Sequence, residues 1–274
     1  MKKGLLSMNR TIAVSWLLIF AVLGVLSVGG CRSSSTVTER VADHAATDTA
    51  HWTYRGDTGP THWSALDPQY SACADRSAGT QSPIDFSSGF ASETSDVAYN
   101  YRASGGAVVN NGHTIMFTPT DGGSITVAGK TYTLSQFHFH APSEHTVDAL
   151  NYPMEGHLVH QAEDGTSAVV GVFYRPGAPN RVVASLWAQV SGAIDHETDV
   201  ATQINAADLL PSATTYYRYA GSLTTPPCDE GLVWTVLDTP ATVSAADIWT
   251  LLTLFGGNNR PAQSLNGRTI THVE

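Results

Sequence analysis

The four residues Phe137-His138-Phe139-His140 constrain this chain more than any other stretch. Successive side chains of a β-strand point to opposite faces, so the two phenyl rings share one side and the two imidazoles the other. The rings call for a hydrophobic core; the opposite face then presents two nitrogen ligands together. Seventeen residues after His140 comes His157, in the alternating apolar run His157-Leu158-Val159-His160. Pro142 and Asn151-Tyr152-Pro153 break the stretch between, so the second run can return as an antiparallel neighbour carrying a third imidazole. Three neutral nitrogen ligands leave the fourth tetrahedral position of zinc open to water. Polar residues on a half-exposed strand face are the plainer reading of such histidines, and a lone His-x-His does not exclude it.

Short alternating segments dominate the rest of the chain. Residues 107–109, 114–118, 124–127, 136–140, 157–161, 168–174 and 231–237 read as strands, separated by turns such as Asp121-Gly122-Gly123 and Glu163-Asp164-Gly165. Helical periodicity is confined to 181–189, 206–210 and 244–255, where Ser244 followed by Asp247 resembles a capping box. Many strands with few helices predict an α+β fold, a single domain over 51–274 built on a large, mainly antiparallel twisted sheet with a few short peripheral helices. With 42% hydrophobic and 14% charged residues, the chain can bury a sizeable core.

The amino terminus carries a different signal. Lys2, Lys3 and Arg10 precede an apolar run from Ile12 to Val28, a secretory leader pattern over residues 1–30. The run ends in Val28-Gly29-Gly30-Cys31, which looks like a bacterial lipoprotein cleavage box with Cys31 as the acylated residue. An uncleaved membrane anchor is the other reading, since the run is nearly long enough to span a bilayer. Residues 32–50, rich in Ser, Thr and Ala, read as a tether, so the expected location is periplasmic or cell-surface. From Cys31 onward the chain holds 11 basic and 24 acidic side chains, a net of −13, which argues against nucleic acid and anionic lipid surfaces as partners. Cys73 and Cys228 are then an even pair in an oxidising compartment, either bonded or two free buried thiols.

Longer motifs add a resemblance. Residues 136–140, 143–148 (Ser-Glu-His-Thr-Val-Asp) and 157–160 together are similar to the core signature of the alpha-class carbonic anhydrases. So are Gln81-Ser82-Pro83-Ile84-Asp85, Asn110-Asn111-Gly112-His113, the 219–228 segment Tyr-Ala-Gly-Ser-Leu-Thr-Thr-Pro-Pro-Cys, and Asn259-Arg260-Pro261-Ala262-Gln263. The motifs span nearly all of 51–274 in the family's order.

The resemblance implies zinc held by His138, His140 and His157, and reversible hydration of carbon dioxide to bicarbonate through zinc-bound hydroxide. It implies that Thr224 accepts a hydrogen bond from that hydroxide and passes its own proton to Glu144. Gln136, Glu155 and the carbonyl of Asn258 would orient the three ligands, with His145 and Tyr219 as deeper supports and His145 not a fourth ligand. Val159, Val169, Leu223, Trp234 and Thr225 would line the substrate pocket. His113 would shuttle the proton outward, an ordinary task for an imidazole near neutral pH, along waters ordered by Tyr54 and Asn111. Met116 stands where many relatives carry a polar residue. Cys73 and Cys228 match a pair in secreted bacterial members, which implies a disulfide.

Two competing classes are weighed against this. Zinc peptidases place His-Glu-x-x-His on a helix, a pattern missing from this sequence. A carbonic-anhydrase-like binding module or a zinc-scavenging surface protein would not need Thr224 and Glu144 beside three ligand histidines.

Overall fold

The computed structural model describes residues 50–74, 78–87, 90–93 and 95–273. The expected leader, the expected acylation at Cys31 and the expected tether up to residue 49 fall outside the described residues.

Twelve strands form one sheet among the described residues. From one edge it runs through Thr198–Asp199, Gly106–Asn110, Ile115–Pro119, Lys130–His140, Met154–Gln161, Ser167–Pro176, Glu230–Val243, Tyr216–Ser222, Thr271–Val273 and Ala91–Glu93. Gly123–Val127 pairs with both Lys130–His140 and Val97–Tyr101. A small second sheet joins Asp85–Phe86, Thr146–Val147 and Leu150–Asn151.

The ladder at the centre decides where the chemistry sits. Met154–Gln161 returns antiparallel beside Lys130–His140, with His157 opposite His138 and Glu155 opposite His140. Phe137 and Phe139 point the other way, 1% and 0% exposed, into the main core with Leu158, Met154 and Tyr174. Burying each such ring stabilises the fold by roughly 1.5–3 kcal/mol, so the imidazole face is fixed by what its reverse side buries. A one-residue slip would reverse every side chain of the strand.

The sheet is mixed, a refinement of the mainly antiparallel expectation. Ser167–Pro176 runs parallel to Glu230–Val243, and Thr271–Val273 parallel to Ala91–Glu93. Alternation of residue type reveals a strand but not its direction. The parallel central pair requires a long crossover, and residues 177–229, including the helix Arg181–Gln189 and the strand Tyr216–Ser222, provide it.

The helices follow their sequence signals. Asn180 caps Arg181–Gln189 by accepting from Val182 N–H and Val183 N–H, and Val182, Val183 and Leu186 are buried. Ser244 caps Ala245–Phe255 through Asp247 N–H at 3.1 Å. That helix ends on Gly256, whose φ of 65° is left-handed and favours glycine.

Candidate metal centre

Each of the three imidazoles is held by its outer nitrogen. Gln136 Oε1 lies 2.8 Å from His138 Nδ1, and the backbone carbonyl of Asn258 lies 2.7 Å from His140 Nδ1. Glu155 Oε1 lies 2.9 Å from His157 Nε2. These partners are all acceptors, so each held nitrogen carries the proton and the other nitrogen keeps a free lone pair. The free nitrogens, Nε2 of His138 and His140 and Nδ1 of His157, face one point. Ligand atoms of the three residues lie within 4.8 Å of one another. His140 Nε2 is buried without a hydrogen-bond partner. An orphaned buried lone pair is costly, and a metal ion bound by three neutral imidazoles would satisfy it.

Electrostatics favour the neutral form of two of the rings. Burial holds His138 well below the ordinary histidine range, and the neighbouring His140 and His157 push the same way. Burial also lowers His140, against an opposing pull from Glu144.

Behind the three imidazoles runs a buried polar chain. Burial alone would raise the Glu155 carboxyl, but His145 and His157 hold it well below the usual carboxylate range. Its Oε2 accepts from the backbone N–H groups of Glu144 and His145, both at 2.9 Å. Its Oε1 accepts from His145 Nδ1 at 2.6 Å as well as from His157. An ionised carboxylate can only accept, so His145 donates there, and as a neutral ring it accepts at Nε2, where Tyr219 Oη lies 2.6 Å away. Burial pushes the Tyr219 hydroxyl well above its usual range, which keeps it a donor. Ser82 Oγ, 2.8 Å from the Tyr219 oxygen, then donates to it, and itself accepts from Ser222 N–H at 3.0 Å. Proton positions are thus fixed from Glu155 outward. His145, Glu155 and His157 also lie close enough to resemble a metal site. Their facing atoms are spent on one another, which leaves this cluster no lone pair facing an ion.

Glu144 occupies the floor between the rings. Its Oε1 accepts from Arg260 N–H at 2.7 Å. Its Oε2 lies 3.6 Å from His140 Nε2 and 3.9 Å from His157 Nδ1, and is buried without a hydrogen-bond partner, the Thr224 hydroxyl included. Thr224 is itself buried.

The predicted pocket residues come together. Val159 pairs with Val169, and Val169 with Trp234, across three adjacent strands. These three pack with Leu223 in one apolar cluster. Trp234 meets the His157 ring edge-on at 4.8 Å. Thr225 lines a neighbouring cleft of about 120 Å³ with Tyr54, Asn111, His113, Met116, His138 and His140. The expected proton path and the metal-facing rings therefore share one opening. Burial, then Glu144, pushes the Tyr54 hydroxyl well above its usual range. Asn111 Oδ1 accepts from His113 N–H and Thr114 N–H at 3.0 and 2.9 Å, so its side chain also builds the turn that carries His113. Burial lowers His113, and His51 adds to that while Asp195 opposes it.

Several contributors were not legible. Trp52 stacks on His113 with ring centroids 3.7 Å apart and planes within 8°; its sequence position shows only an aromatic near the start of the domain. Arg260, 1% exposed, donates to Gln81 Oε1, Ser82 O and Cys73 O at 2.7–2.8 Å. Gln81 Nε2 donates to Cys228 O at 3.1 Å. Cys73 and Cys228 are joined by a disulfide. The Asn259-Arg260-Pro261 run was visible in the sequence, but not what its arginine grips. His160 points to the core face, 3.0 Å from Tyr101 Oη, and burial lowers it to about 4.

Comparison with known proteins fits this geometry. The family model for eukaryotic-type carbonic anhydrase matches residues 58–274. A carbonic anhydrase of Pectobacterium carotovorum is 40% identical over 229 residues, covering 83% of this chain and 93% of that protein. The alpha-carbonic anhydrase of Thermovibrio ammonificans, solved with the inhibitor sulfanilamide, aligns with a TM-score of 0.78 at 40% identity, covering 81% of this chain and 99% of that one. Dioscorin, solved with ascorbate, aligns at 0.76 with 30% identity, covering 82% and 98%. The last shows that the fold travels under more than one name, so fold alone does not fix an activity.

Proposed function

The chain belongs to the eukaryotic-type, or alpha-class, carbonic anhydrase family, and on that premise we propose that it hydrates carbon dioxide reversibly with zinc held by His138, His140 and His157. The observation that carries this is the convergence of three neutral imidazole nitrogens, each ring pinned by an acceptor on its far side. Zinc at such a site lowers the pKa of a water ligand to about 7, supplying a nucleophile near neutral pH.

The chain's own residues do the rest. Glu144, fixed by Arg260 N–H, keeps one carboxylate oxygen free to accept the Thr224 hydroxyl proton. Thr224 then has only its lone pairs to offer the nucleophile, which orients it. Val159, Val169, Leu223 and Trp234 form the dry wall suited to a nonpolar substrate. Thr225 stands at the opening, and His113 takes the proton outward past Tyr54 and Asn111. The disulfide suits an oxidising compartment, in keeping with export by a leader over 1–30, acylation at Cys31, a tether to residue 50 and a catalytic domain over 51–274.

Stopped-flow carbon dioxide hydration beside zinc content, for the purified protein and His140→Ala, tests the reading. Near-stoichiometric zinc with fast hydration, both lost in the variant, supports it. Zinc without hydration points instead to scavenging, and neither zinc nor hydration to a binding module.

A further inference from the structure

The strands Ile115–Pro119 and Lys130–His140 carry, respectively, the turn that bears His113 and two of the ligands. Their backbone ladder pairs Met116 with His138 and Phe117 with Phe137, and goes no further among the described residues. It therefore stops where the shuttle would have to be fixed relative to the metal. Two side chains replace it. Thr114 Oγ1 donates to Phe139 O at 2.6 Å and accepts from Phe139 N–H at 3.1 Å. Asn258 Nδ2 donates to His113 O and to Phe139 O, both at 2.9 Å, while its Oδ1 accepts from Ala141 N–H at 2.8 Å. The Asn258 backbone carbonyl separately holds His140. Thr114 is 6% exposed and Asn258 0% exposed, so these bonds form away from competing water.

We infer that Thr114 and Asn258 are positioning residues for proton export, clamping the His113 turn to the ligand strand and so setting the span the proton must cross. The inference rests on the proposed carbonic anhydrase reading and extends it to residues whose side chains touch neither substrate nor metal. The clamp acts on the backbone on both sides of the His113–ligand gap. Loosening it lengthens or blurs the water path while leaving the ligands on their own acceptors. Proton-transfer rates are sensitive to such spacing, as reactions in general are to small misplacements.

The test is Thr114→Val, which keeps the volume and removes the hydroxyl, with Thr114→Ser as the rescue. In a bulky buffer kcat should fall roughly threefold to tenfold while kcat/KM, which reports attack on carbon dioxide, stays within about twofold. Added imidazole, a mobile shuttle, should restore kcat, and Thr114→Ser should need no rescue. In the metal-free protein the His113 ring-proton shifts, which sense the Trp52 indole, should move in Thr114→Val and return in Thr114→Ser. Should Thr114→Val not fold, Thr114→Ala carries the same test, since it removes the hydroxyl and leaves no methyl facing Phe139 N–H and O. Equal falls in kcat and kcat/KM, unchanged kcat, or failure of imidazole to rescue overturns the clamp alone. Wild-type protein that binds zinc and does not hydrate carbon dioxide overturns the functional reading beneath it, and the clamp with it.

Discussion

Behind the three imidazoles and in front of them, the molecule solves two different problems. Behind, His157, Glu155, His145, Tyr219 and Ser82 form a chain in which every link is buried, hydrogen-bonded and fixed in proton direction. In front, His113 is half-buried at an open cleft, stacked on Trp52 and anchored through its backbone rather than its ring nitrogens. A ligand must hold one tautomer and one orientation; a shuttle must change its protonation state in every turnover. Rigidity that serves the first would disable the second. The contrast fits the proposed roles: the ring nitrogens of His138, His140 and His157 are bound on their far sides, while the His113 ring is held by stacking on Trp52.

The sharpest way to break this contrast is Glu155→Gln. The amide cannot accept four N–H groups, so zinc affinity should fall 10- to 100-fold, read by competition with a chromophoric chelator. Unchanged affinity would mean the rear chain does not orient His157. Next in size, Tyr219→Phe strips His145 Nε2 of its donor inside the core. Leaving that acceptor unpaired should cost about 1–3 kcal/mol of stability by denaturant titration, with zinc stoichiometry preserved. A variant as stable as the parent would show the rear chain to be slack.

On the front side the expected effects are smaller and kinetic. His113→Ala should lower kcat about tenfold in bulky buffer, at or below the usual range for a proton-transfer group because buffer reaches the open cleft. The effect on kcat/KM should be slight, and added imidazole should restore kcat. Loss of zinc in this variant would erase the distinction between the two sides. Smallest is the effect of His51→Ala. Burial and then His51 lower His113, and His113 accepts a proton only when neutral. Its kcat should therefore persist somewhat below the ordinary histidine value near pH 6.5 and decline as the ring becomes protonated. Removing His51 removes part of the lowering, so the acid limb should move to higher pH. A move to lower pH would contradict the sign.

The two regions also differ in how far sequence could reveal them. Phe137 to His140 and the run from His157 carry their faces in a period of two, so the convergence of the three imidazoles was readable. Glu155 was readable for the same reason, two residues before His157. The turn at 110–113 announced itself through Asn and Gly. The parallel pairing of Ser167–Pro176 with Glu230–Val243 left no trace, because alternation has no direction. The strand Val97–Tyr101 alternates too, but its polar neighbours gave it no core side to declare. Least readable were contacts between distant segments. The stack of Trp52 on His113, the Ser82–Tyr219 bond and the grip of Arg260 on Cys73 O depend on register across 61, 137 and 187 residues. No local pattern encodes such distances. The family motifs contained most of these residues without stating what they touch.

Arg260 gives the assembly a direction in time. Its N–H positions Glu144 across 116 residues, its guanidinium grips Cys73 O across 187, and Asn258 holds His140 across 118. Contacts of such separation form late, because loop closure must precede them. A nascent chain that has emerged only through the strand Ser167–Pro176 already carries all three imidazoles and the Glu155 network's first links. It still lacks the acceptor for His140 and the donor for Glu144. Such a chain can bring the three imidazoles together before it can complete the site around them, so the finished arrangement waits for residues 258–260.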